Sequence, residues 1–150
     1  MLLAGVGLTG CSSGPKVSEL GAELQQEGKA QLTAAADFNG ADGVQPTITE
    51  DASKDVSCGD GKVKRVFAGS FLFRPNPDID QTFDFAFTAL RGRLDQNRYD
   101  LTTRPDADDT ARREAVFAGQ DRYKVTLRFV FTGGAEPAFA LQGETACLDR

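Results

Sequence analysis

The stretch RYKVTLRFVFT, residues 122–132, alternates without a break: Tyr123, Val125, Leu127, Phe129 and Phe131 share one parity, and Arg122, Lys124, Thr126 and Arg128 share the other. Successive side chains of a strand point to opposite faces, so this pattern is a strand with one buried and one wetted face. Strands of that kind belong to antiparallel sheets, which keep one side open to water. The turn signals on either side extend the reading. Gly119-Gln120 precedes the stretch and Gly133-Gly134 follows it, which makes hairpins with a strand over 112–118 and another over 137–147. In the last of these, Phe139, Leu141 and Cys147 share a parity, which places the Cys147 thiol under the sheet or at its rim.

Upstream, residues 62–73 read as one long central strand with Val63, Phe67, Phe71 and Phe73 on a single face. Arg74-Pro75-Asn76-Pro77 stops it, and Asp78 or Asp80 then caps a helix running to Asn97. Phe83, Phe87, Leu90 and Leu94 form the helix's apolar stripe, while Phe85 lies off it and is expected to meet an earlier helix. That earlier helix covers 17–38, with Ser18 as its cap and Val17, Leu20, Leu24, Leu32 and Ala35 on one stripe. Gly21 and Gly28 weaken it, and its few large side chains predict a peripheral position. Short strands are expected over 47–49 and 99–103, and the turn-rich remainder of 44–61 is read as loop. Hairpin-linked strands beside segregated helices indicate an α+β fold, an antiparallel sheet of about 4–5 strands packed on the central amphipathic helix. At fold level this is similar to cystatin-like or NTF2-like domains, an analogy that carries no function.

Composition narrows the function classes. The 150 residues carry 22 acidic and 17 basic side chains, a net charge of −5, which disfavours nucleic acid as a partner. There is no histidine. The commonest general base and metal ligand is therefore missing, which argues against Ser-His-Asp and Cys-His enzymes and zinc hydrolases. A non-enzymatic protein without cofactor or metal is expected. Two acidic segments, Asp78 and Asp80 with Asp84, and Asp106 with Asp108 and Asp109, lack the spacing of a calcium loop and read as helix capping and a solvated loop. Arg122, Lys124 and Arg128, joined by Arg112 and Arg113 from the neighbouring strand, form a cationic row that could meet an anionic headgroup, a polymer or a partner, or simply be the wet side of the sheet.

The N-terminus suggests an address. The apolar run from Leu2 ends in Leu8-Thr9-Gly10-Cys11, which resembles the lipobox of bacterial lipoproteins. The resemblance implies a signal peptide over 1–10, cleavage between Gly10 and Cys11, and acyl chains on Cys11. It also implies a location on the extracytoplasmic face of the cell membrane. Ser12, Ser13, Gly14 and Pro15 supply a flexible tether over 11–16, and the globular domain is expected over 17–150. No Lys or Arg precedes Cys11, so a basic n-region is expected upstream of Met1. The composition, rich in Gly, Asp, Ala and Arg with a single Met, is similar to that of small actinobacterial lipoproteins. With Cys11 acylated, two of the three cysteines remain, and in an exported chain Cys58 and Cys147 are expected to pair. The implied partners are the membrane, through the anchor, and an envelope protein, cell-wall polymer or lipid; the alternative is a carrier for a lipid or small apolar ligand.

Overall fold

A computed structural model describes residues 14–120 and 124–150. Cys11, Gly10 and Arg122 lie outside the described residues. The described elements, in order, are α1 (Val17–Asn39), β1 (Thr47–Asp51), β2 (Val56–Gly59), β3 (Lys62–Lys64), β4 (Val66–Leu72), α2 (Ile79–Gln96), β5 (Tyr99–Thr103), β6 (Arg112–Gly119), β7 (Val125–Thr132), β8 (Ala138–Thr145) and β9 (Leu148–Asp149). The fold is α+β. A six-stranded sheet has the order β1-β4-β8-β7-β6-β5 with antiparallel neighbours throughout, and a three-stranded sheet has the order β2-β3-β9.

The register makes two different faces. One row runs Phe67–Gly143–Leu127–Phe117 across β4, β8, β7 and β6, and the next-but-one runs Phe71–Phe139–Phe131–Arg113. These rows carry the core, and both helices pack on them. Phe83 of α2 meets Phe131 with ring centroids 5.5 Å apart, and Phe117 meets Phe129 edge-on at 5.7 Å. Such tilted and edge-to-face contacts suit the ring quadrupoles. The row midway between those two, Gly69–Leu141–Phe129–Ala115, shares their face; the alternate rows, such as Ser70–Ala140–Val130–Glu114, face outward, and neither helix covers them.

α1 overturns the expectation of a peripheral helix. It packs on β4 and β8 in the middle of the sheet, with Leu24 and Leu32 wholly buried. The glycines that weaken its propensity are what bring it close. A Cβ on Gly28 would lie 2.7 Å from the Phe67 ring. On the sheet side, a Cβ on Gly69 would meet Leu32 and one on Gly143 would meet Leu24, each at 2.5 Å. Small residues on both surfaces let helix and sheet interlock, and α2 is left to cover the β5 side. Ser18 is not the cap: Lys16 is, and the Glu19 carboxylate accepts from the Lys16 amide at 3.1 Å. α2 starts as expected at Asp78, which accepts from the Gln81 amide at 3.3 Å. Phe85, expected against α1, is exposed instead, off the buried stripe of Phe83, Ala86, Leu90 and Leu94.

The strand expected over 62–73 is broken at Arg65. β3 leaves the main sheet to pair with β2 and β9, while β4 stays in it. Arg65 holds the break: its Nε donates to Asp55 at 2.7 Å, and its Nη1 donates to the carbonyls of Ala52 and Ser53. Both margins of the six-stranded sheet are irregular, with register shifts between Ile48 and Glu50 in β1 and between Leu101 and Thr103 in β5. Among the described residues no helix is long and apolar enough to cross a membrane.

Candidate functional site

β8 ends at Thr145, two residues short of Cys147, so of the two places expected for the thiol, under the sheet or at its rim, it lies at the rim, on an exposed connection just past the strand's end. There Cys147 is bonded to Cys58 of β2, with Cα atoms 6.2 Å apart. The bond fastens the small sheet to the chain's end across 89 residues. Closing a loop of that length stabilises the fold by about 4.6 kcal/mol in the chain-entropy account.

The residues proposed as a cationic row divide between the two faces, because neighbours in a strand must. Arg128 and Arg112 project onto the open face; Arg113 points into the helix side and is 5% exposed. Lys124 precedes β7 and is half-buried. Nor is the open face a bare positive strip. Glu114 lies between the two arginines, 3.3 Å from Arg128 Nε and 3.2 Å from Arg112 Nη2, and Lys64 pairs with Glu144 at 2.6 Å. Small side chains, Ala68, Ala138, Ala140 and Val116, fill the space between these pairs. A shallow depression of about 290 Å³ lies among Val66, Ala68, Thr126, Arg128, Gln142 and Glu144. This face is open, mixed in charge and uncovered by either helix, which suits contact with a broad surface better than enclosure of a small molecule.

Arg113 does something that sequence spacing hides: it unites the two acidic segments. Its Nη1 donates to Asp84 at 2.9 Å and its Nη2 to Asp80 at 3.2 Å, both on α2. Its Nε donates to the Asp109 carbonyl at 3.1 Å and its Nη2 to the Ala107 carbonyl at 2.8 Å, both in the β5–β6 loop. The guanidinium also stands 5.7 Å over the Phe83 ring. The segments expected to act separately as a cap and a solvated loop are thus tied to one buried cation. The Asp109 carboxylate accepts from the amides of Arg112 and Ala111, each at 2.9 Å, and these bonds hold its pKa below the ordinary carboxylate value. Among the described residues no group of three or more His, Cys, Asp or Glu side chains is arranged to hold a metal ion.

A second polar cluster, which the sequence did not reveal, joins α1 to the start of β5. Tyr99 donates to Glu23 at 3.2 Å, and Asn97 donates to both oxygens of Glu27 at 3.1 Å. Gln31 donates to Glu27 at 2.6 Å, but its own Oε1 is buried and accepts from no donor among the described residues. Burial, then the charges of Glu23 and Glu27, push the Tyr99 hydroxyl well above its usual pKa. The i, i+4 spacing of Glu23, Glu27 and Gln31 was the available signal, on a helix face adjoining the apolar stripe. Comparison with known proteins finds no family model, no curated protein and no solved structure that matches this chain.

Proposed function

We propose that the protein is a lipid-anchored lipoprotein of the bacterial cell envelope, acylated at Cys11 and held on the extracytoplasmic face of the membrane. Its folded part acts there as a non-enzymatic binding module. The observation that carries the reading is the Cys58–Cys147 bond. Disulfides persist in oxidising compartments, and pairing these two leaves Cys11, in its lipobox-like setting, as the remaining cysteine of three. The open sheet face, with Arg128 and Arg112 spaced by Glu114, is the surface offered to an envelope protein or cell-wall polymer. Carriage of a bulky lipid is the weaker reading, because the volume between sheet and helices is occupied by Phe67, Phe71, Phe73, Phe117, Phe129 and Phe139.

The test is metabolic labelling of the full chain with a fatty acid in a bacterial host, beside Cys11→Ala. The wild type takes up label and partitions into the detergent phase; the variant does neither. Alkylation without reductant leaves Cys58 and Cys147 unmodified in both. Recovery of an unlabelled cytoplasmic chain with all three thiols reactive would refute the proposal.

A further inference from the structure

A cleft of about 190 Å³ opens between α2 and the β5–β6 loop, on the helix side of the sheet and away from the open face. Phe87, Pro105 and Ala107 supply its accessible apolar surface, and Phe83 and Phe131 lie beneath, each 1% exposed. Three charged residues line it: Asp84, Arg104 and Arg113. Two of the three are already committed to each other. A guanidinium has five N–H donors. Those of Arg113 are directed at Asp84, at the carboxylate and carbonyl of Asp80, and at the carbonyls of Ala107 and Asp109. Arg113 therefore builds the wall and has no donor left for a ligand. Arg104 is exposed at the mouth and makes no hydrogen bond or ion pair with any described residue.

We propose that this cleft binds a small amphiphilic carboxylate, with a ring-sized or short-chain apolar part against Phe87, Pro105 and Ala107 and the carboxylate paired with Arg104. Size sets the class. An apolar cavity of about 150 Å³ holds one benzene ring, so this cleft accepts a single ring or a few methylenes, far less than a membrane lipid. Charge sets the head group. The Asp84 carboxylate faces Arg113, which leaves the Arg104 guanidinium as the uncommitted charge on the lining, and that fork matches a carboxylate in two-point fashion. The inference does not depend on acylation of Cys11 or on where the protein resides.

The experiment uses the oxidised full chain and 4-fluorophenylacetate, followed by ¹⁹F line broadening. Saturable binding is expected with a Kd of roughly 1 mM, which suits a ligand of so few atoms. Arg104→Ala should weaken it about tenfold. The neutral ring analogue 4-fluorobenzyl alcohol should bind the wild type about tenfold more weakly than the acid and should not distinguish wild type from Arg104→Ala. Ala107→Phe, placed in an exposed loop, should fill the cleft and abolish both, with an unchanged far-UV spectrum; Arg128→Ala, on the other face, should leave both intact. Absence of saturation, equal binding of acid and alcohol, or full affinity in Arg104→Ala would each overturn the proposal.

Discussion

Gly28 and Gly92 allow the same substitution to be made in two settings. A Cβ on Gly92, on the exposed side of α2, meets nothing within 4 Å. A Cβ on Gly28 lies 2.7 Å from Cγ and Cδ1 of Phe67 and 2.8 Å from its Cε1. Replacing Gly by Ala inside a helix gains about 0.8–1 kcal/mol wherever the methyl is tolerated, so Gly92→Ala should stabilise by that amount. Gly28→Ala has the same intrinsic gain but forces a ring aside. Phe67 is wholly buried and cannot swing into solvent. On either side of it, Leu24 and Leu32 seat against Gly143 and Gly69, so retreat of the helix would open both contacts. Overpacking of this kind costs typically about 1–3 kcal/mol, which leaves Gly28→Ala between neutral and about 2 kcal/mol less stable than the wild type. The two variants should therefore differ by about 1–3 kcal/mol, a quantity from which helix propensity cancels. Urea unfolding of the oxidised protein measures it directly, with equal slopes required for the comparison. Adding Phe67→Leu to Gly28→Ala should recover much of the difference through a favourable coupling term. If Gly28→Ala stabilises as much as Gly92→Ala, α1 does not rest on Phe67 and the central placement of this helix is wrong.

Two further outcomes follow from the polar clusters. Gln31→Met keeps length and helix propensity and removes both the unpartnered Oε1 and the bond to Glu27, which retains Asn97; the two effects offset, so a stability within about 1 kcal/mol of wild type is expected, whereas a loss above about 2 kcal/mol would mean that the oxygen is satisfied. Asp109 has a folded pKa below its unfolded one, so the unfolded chain binds the proton more readily and the stabilisation is lost as pH falls through the folded value. The stability difference between wild type and Asp109→Asn should be full near neutrality and shrink as pH falls through the usual carboxylate range and below it, whereas a constant offset would refute the role of the Asp109 carboxylate in holding the Arg112 and Ala111 amides.

The main sheet was legible because its strands carry their instructions locally. Val125, Leu127, Phe129 and Phe131 alternate with wetted residues, and the pairing Phe131↔Phe139 keeps the parity read from each strand alone. The α2 stripe was legible for the same reason, with Phe83, Leu90 and Leu94 all buried. What stayed hidden depends on surfaces meeting. Gly28 looks like a defect in a helix until Phe67 is placed beneath it. β2 and β9 are exposed or half-buried throughout, so they have no hydrophobic alternation to announce them, and their pairing is set by the break at Arg65. Arg113 could have been separated from Arg112 by parity alone. Its link to Asp80 and Asp84 could not, because it joins residues 33 and 29 positions apart through the tertiary fold.

The bulged margins of the six-stranded sheet have a bearing on the protein's behaviour in company. A straight outer strand offers a ladder of free amides and carbonyls that a neighbour can extend. Here β1 carries Glu50 and Asp51 beside its irregularity, and β5 carries Asp100 and is followed by Pro105, so neither margin presents an unbroken ladder. Copies packed densely on a common support should thus stay separate particles and not grow into ribbons, which leaves their broad faces free for other molecules.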